Sequence, residues 1–171
     1  MPSNLFFFVL GVLVTAACLP LSSFILRLRT ALKYSRPELS DRVPCPCCRY
    51  PTLNENAADE ICELCRWQDD GQNDGSADEV WGGPNGDHSL ITARASFRAH
   101  RSKYDPSDDR YNSPLEHEVK ALLMTVFDQL NTCAEHERKP LENAAICLEG
   151  VLYAETCRQI AKYEATYRHE T

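Results

Sequence analysis

Residues 45–67 read CPCCRYPTLNENAADEICELCRW, and the two C-x-x-C pairs within them, Cys45 with Cys48 and Cys62 with Cys65, decide how the rest of the chain is read. Each pair can wrap a tight turn whose backbone N–H groups point at the sulfurs, and two such turns supply a tetrahedron of thiolates for a structural zinc ion. Thirteen residues separate Cys48 from Cys62, slightly fewer than the roughly 15 to 20 usual in a double C-x-x-C site. Between the pairs, a turn at Asn54-Glu55-Asn56 divides the short runs 50–53 and 60–61. The expected geometry is therefore a zinc-ribbon-like β-hairpin that brings the two knuckles together.

Two rival chemistries use the same residues. Thiolates also suit iron or an iron–sulfur centre, and Cys45-Pro46-Cys47-Cys48 has the look of a thiol–disulfide redox motif. No βαβ pattern surrounds it, and a second C-x-x-C lies close by, both of which favour a metal. Cys47 would make a C-x-C bite with Cys45, so it is read as a spare thiol beside the site.

Outward from this module, the composition is that of a folded domain: 171 residues, 43% hydrophobic and 25% charged. The nine cysteines leave five outside the two pairs (Cys18, Cys47, Cys133, Cys147, Cys157), an odd remainder that fits free thiols better than a disulfide framework. The net charge is -7, and residues 1–33 carry Arg27, Arg29 and Lys33 without an acid, which leaves -10 for the rest. Nucleic-acid binding wants a basic face, so no nucleic-acid partner is expected.

From Cys45 to about Phe97 the chain resembles the cysteine-rich CPCC domain family, found mainly in small bacterial proteins and without an established activity. The resemblance is carried by Cys45-Pro46-Cys47-Cys48, Thr52-Leu53, Ile61-Cys62, Cys65, Trp67, Asp69-Asp70, Gln72, Gly82-Gly83, Asn85, Ser89-Leu90, Ala93-Arg94 and Phe97. Two positions depart from it. Arg49 stands where glycine is usual, and Arg66 where an aromatic residue is usual; a side chain in a left-handed turn costs about 1 kcal/mol that glycine avoids.

Residues 5–26 (LFFFVLGVLVTAACLPLSSFIL) hold no charge, and at about 1.5 Å per residue they would make a helix of about 33 Å, enough to cross a hydrocarbon core. Thr15-Ala16-Ala17-Cys18 suggests a cleaved lipoprotein signal, but the basic residues follow the apolar run instead of preceding it. The expectation is an uncleaved transmembrane anchor in the lipid bilayer, with the N-terminus outside and the C-terminal domain cytoplasmic.

After the second knuckle come Asp69, Asp70 and a glycine-rich stretch leading to His88. One reading makes these an enzyme site, with Asp69 or Asp70 and His88 as base and orienter and Arg94 as anion clamp. The other assigns the acids to turn capping or to an ion pair with Arg94, and gives Trp67 to the core. Ser89 is the predicted N-cap of a helix to about Arg101. Ser113-Pro114-Leu115-Glu116 opens a second predicted helix, to about Glu137. After a turn at Arg138-Lys139-Pro140, a third is predicted to about Tyr167, with a stripe of small residues (Ala144, Cys147, Val151, Ala154, Cys157, Ala161, Ala165) facing its neighbour. On that reading Cys133, Cys147 and Cys157 are buried.

The sequence thus predicts a small α+β protein. Residues 1–33 form an anchor, 34–44 a linker, 45–103 a zinc-binding module, and 104–171 a linker and antiparallel helical hairpin. The expected function is a membrane-anchored binding or interaction protein with a structural zinc on Cys45, Cys48, Cys62 and Cys65. The C-terminal helices would serve an unknown protein partner or self-association.

Overall fold

The structure is a computed structural model that describes residues 37–107 and 113–169. Its regular structure is helical: α1 spans Leu90–His100, α2 Pro114–Leu130 and α3 Glu135–His169. Before α1 the chain is irregular, with single 3-10 turns at Leu39–Asp41, Asp74–Ser76 and Gly83–Asn85.

The predicted β-hairpin is not there, and with it the α+β assignment falls. Among the described residues antiparallel pairing is reduced to two isolated bridges, Val43 with Leu53 and Ile61 with Gln68. Each bridge closes its own knuckle. The stretch between the knuckles cannot extend into strands because Ala57 and Asp59 both adopt positive φ, at 54° and 56°, and residues 54–59 are all exposed.

The predicted membrane span, residues 5–26, lies outside the described residues. Among the described residues no helix is long and apolar enough to cross a membrane, so the single-pass placement is withdrawn. Helix α3, with 35 residues, has the length, but it carries charged side chains from its first turn onward.

The helix starts follow capping chemistry. Ser89 accepts from the Thr92 N–H at 3.2 Å and Ser113 from the Glu116 N–H at 3.1 Å. Helix α1 buries Leu90, Ala93 and Phe97 and ends at Arg101 in the left-handed region. The ends of the other helices differ from expectation. Helix α2 stops at Leu130, where the N–H groups of Asn131, Thr132 and Cys133 turn back onto the carbonyls of Asp128 and Gln129, and α3 then runs through Pro140. The pair is antiparallel: the Ser113 hydroxyl donates to Glu155, while Arg138 donates to the Leu130 carbonyl.

The face of α3 that packs inward coincides only in part with the predicted small-residue stripe: Ala144, Val151 and Ala154 lie on it, Cys147 and Cys157 do not. Leu141, Glu142, Ala145, Glu149, Leu152, Ala154, Glu155 and Gln159 are buried, whereas Cys147 and Cys157 are exposed and Cys133 is half-buried. The buried acids of α3 have polar partners: Arg42 for Glu149, the Ser113 hydroxyl and Arg158 for Glu155, and Lys139 for Glu142. Arg66 of the cysteine module bonds Glu116 and Thr156. One apolar cluster runs from Leu53, Leu64 and Trp67 through Leu90 to Val119, Phe127 and Leu152. The hairpin, too small to bury a core alone, thus shares one with the cysteine module.

Candidate metal centre

The two knuckles are near copies, seventeen residues apart. The Cys45 N–H donates to the Tyr50 carbonyl at 2.9 Å as the Cys62 N–H donates to that of Trp67 at 2.8 Å. Within each turn, the Arg49 N–H reaches the Cys45 carbonyl and the Arg66 N–H the Cys62 carbonyl, both at 2.9 Å. Arg49 and Arg66, the two positions where the sequence departs from the resemblance, sit at φ 70° and 68°. Both turns therefore take the left-handed residue that glycine would supply more cheaply.

This geometry brings the four predicted sulfurs together. The Sγ atoms of Cys45, Cys48, Cys62 and Cys65 all lie within 4.8 Å of one another and are buried. Cys45 and Cys65 are 3.6 Å apart, Cys48 and Cys62 3.7 Å. A disulfide needs about 2.05 Å, and all eight described cysteines are free. Four sulfurs about 2.3 Å from a central ion, at tetrahedral angles, would be separated by roughly 3.8 Å. Those two separations match and all four sulfurs lie within 4.8 Å of one another, so the residues present can hold a metal ion.

The surroundings favour sulfur as an acceptor. The Cys65 N–H points at Cys62 Sγ and the Trp67 N–H at Cys65 Sγ, each at 3.5 Å, and the Thr52 hydroxyl lies 2.9 Å from Cys62 Sγ. Burial pushes the Cys48 and Cys65 thiols well up. Burial acts the same way on Cys62, but contacts from the three other cysteines and Thr52 outweigh it and hold that thiol low. Four thiolates in so buried a pocket need a cation among them.

Residues 43–118 match the family model described as Cysteine-rich CPCC. The chain carries a cysteine-rich CPCC domain. The match runs beyond the knuckles through α1 into the first turn of α2, so the CPCC domain includes Glu116, the carboxylate that receives Arg66 of the second knuckle. No curated protein and no solved structure matches the chain.

The other expected site residues are dispersed within the CPCC domain. Asp69 is buried and accepts the Ala57 N–H at 2.8 Å. Asp70 accepts from the Gln72 N–H and the Asn85 amide, both at 3.1 Å. His88 makes an edge-on contact with Tyr104, centroids 6.3 Å apart. Among the described residues none of the three bonds another, so the acids do turn chemistry. Arg94 pairs with neither acid; it donates twice to the Pro46 carbonyl and once to Asp74. Cys47 is buried beside the cluster but outside the four-sulfur group.

Two contributors escaped the sequence reading. Thr52 was legible as part of the CPCC resemblance, though its contact with sulfur was not. Lys103 was not legible at all. It is buried, donates to the Pro84 carbonyl at 3.2 Å and to Asn85 Oδ1 at 2.7 Å, and lies 5.8 Å from the Trp67 ring centroid.

Proposed function

We propose that this chain is a zinc-structured binding module: Cys45, Cys48, Cys62 and Cys65 hold one zinc ion that fixes the CPCC domain, and the helices attached to it offer the surface a partner recognises. The observation that carries this reading is the convergence of four buried sulfurs at tetrahedral spacing. Zinc is favoured because two short knuckles of thiolates suit a tetrahedral ion with no redox chemistry of its own. Bound by four thiolates the ion has no open position for water, so its contribution is folding energy and not hydrolysis.

Support for a binding role comes from what α3 leaves uncovered. Tyr153, Ile160 and Tyr163 are exposed on its outer side, and large apolar side chains grouped on one helix are a common feature of association surfaces. Whether the associate is a second copy or another protein is decided by the mass of the assembly in solution.

The test of the metal reading is native mass spectrometry of the reduced chain beside a Cys62→Ser, Cys65→Ser variant. One zinc per chain, absent from the variant, is the expected result. Iron, or no metal in either sample, would overturn it.

A further inference from the structure

Between the first knuckle, α1, the end of α2 and the start of α3 lies an open cavity of about 1070 Å³, at the large end of the range for sites that take small organic ligands. Its charge is opposite to that of the chain. The protein carries -7 overall, yet five arginines line this cavity (Arg49, Arg94, Arg98, Arg101, Arg138) against only Asp128 and Glu142. Arg94 and Arg98 stand one turn apart on α1, with Phe97 between them, and Arg101 is the left-handed residue that ends the helix.

These arginines are not all engaged. Arg49 and Arg94 share Asp74, at 2.6 and 2.5 Å. Arg98 is exposed and has no hydrogen-bond or ion-pair partner among the described residues. Among the described residues the guanidinium of Arg101 meets the His117 ring, which is no counter-ion. Arg138 reaches the Leu130 carbonyl at 3.3 Å and Glu135 only at 3.8 Å. The apolar part of the lining is half-buried Tyr50 and Met124; Tyr50 stacks on the buried Phe127 with centroids 5.3 Å apart, and Phe97 is buried among the arginines.

We infer that this cavity is a ligand site for a small organic oxyanion, with a phosphate or carboxylate held by Arg98, Arg101 and Arg138 and an aromatic or apolar body laid against Tyr50 and Met124. The chemistry follows from the lining. Guanidinium groups present planar forks of N–H donors that match oxyanions, and the Tyr50 ring, backed by the buried Phe127, can meet a flat apolar group at little conformational cost. Like charges gathered on a net acidic protein repel one another, and an anion among them relieves that repulsion. The site is separate from the four-sulfur cluster, although Cys48 and Tyr50 border it, so a folded first knuckle is needed to shape its wall.

The test is a ligand-observed NMR titration of the full chain as isolated, its metal content measured on the same sample, with three probes: phenyl phosphate, inorganic phosphate and benzyl alcohol. Phenyl phosphate is expected to bind at least about tenfold more tightly than either of the others, because only it uses both walls. Arg98→Glu, at an exposed and unpartnered position, is expected to lower that affinity about tenfold or more, and Arg98→Lys to retain most of it. Circular dichroism of both variants should match the parent. Failure of phenyl phosphate to bind, equal binding by the Arg98→Glu protein, or binding of an acidic peptide such as hexaglutamate without phenyl phosphate would each overturn the inference. If the sample lacks zinc yet binds phenyl phosphate through Arg98, the metal reading fails and this one stands.

Discussion

Arg42 and Glu149, 107 residues apart, form a buried ion pair in which one guanidinium nitrogen donates to both carboxylate oxygens, at 2.7 and 2.6 Å, with neither side chain exposed. It ties the entry to the first knuckle onto the middle of α3. Burying two charges is expensive and is offset only when both are present. Glu149→Gln leaves the guanidinium buried without its counter-charge and should destabilise the fold by roughly 3–5 kcal/mol, lowering the thermal midpoint by about 10 °C. The double replacement Arg42→Met, Glu149→Leu should recover most of that loss, since an apolar pair of similar size avoids both desolvation costs. A Glu149→Gln protein that melts with the parent would show that the pair contributes nothing.

Removing the metal should unfold the cysteine module first. The metal–sulfur bonds would be what draws the two knuckles together, and without the ion that contribution to folding is lost, so the apo state favours an opened module. Trp67 is fully buried against it while Trp81 is half exposed. Chelation should therefore shift the tryptophan emission to the red through Trp67, and the shift should persist in a Trp81→Phe variant. Unchanged emission at complete metal loss would sink the idea that the ion holds the fold. Acid should act in the same direction, because thiolate ligands compete with protons and the metal leaves as pH falls.

The knuckles and the helix starts were legible because their signals are local. Cysteine spacing fixes a turn, and Ser89 and Ser113 announce helices by capping chemistry that needs no tertiary context. What failed depended on distant partners. The hairpin reading assumed that residues between the knuckles pair with each other, whereas each bridge closes its own loop. The small-residue stripe misplaced part of the inner face of α3, because Glu149 and Glu155 look solvent-bound until Arg42 and the Ser113 hydroxyl are known to reach them. Polar pattern reports burial only when the charge has no counterpart elsewhere in the chain. Arg94, Arg98 and Arg101 were in plain view at i, i+4 and i+7, but charge runs ordinarily mark a solvated face.

Tyr50 should be an alkaline weak point. Its phenol donates to Asp128 Oδ1 at 3.1 Å, and its pKa is pushed up to about 12, first by burial and then by the Asp128 carboxylate. The folded value lies above the ordinary value of about 10, so folding favours the neutral phenol. That contribution is complete below pH 10 and is lost as pH rises toward 12. Tyr50→Phe should weaken the fold slightly at neutral pH and flatten the decline of stability between those values. If the parent and variant lose stability in parallel through that window, Tyr50 is not the group responsible.

The two left-handed arginines should respond oppositely to glycine. At φ 70° Arg49 carries the steric cost of a side chain in that region, and its ion pair with Asp74 is exposed. Relief of about 1 kcal/mol exceeds what an exposed pair of this kind contributes, roughly 0.2–1 kcal/mol, so Arg49→Gly should be neutral or slightly stabilising. Arg66 has nearly the same φ, 68°, but its side chain is buried and joins Glu63 and Glu116, linking the second knuckle to α2. Lys120 lies 2.9 Å from the same Glu116, so the carboxylate would keep one cation. Arg66→Gly should still cost roughly 3 kcal/mol or more, because the gain in backbone freedom is small beside a broken buried network. Urea midpoints of the two variants decide it. A stabilised Arg66→Gly protein would mean that the arginine is tolerated in its turn and does not fasten the module to the helices.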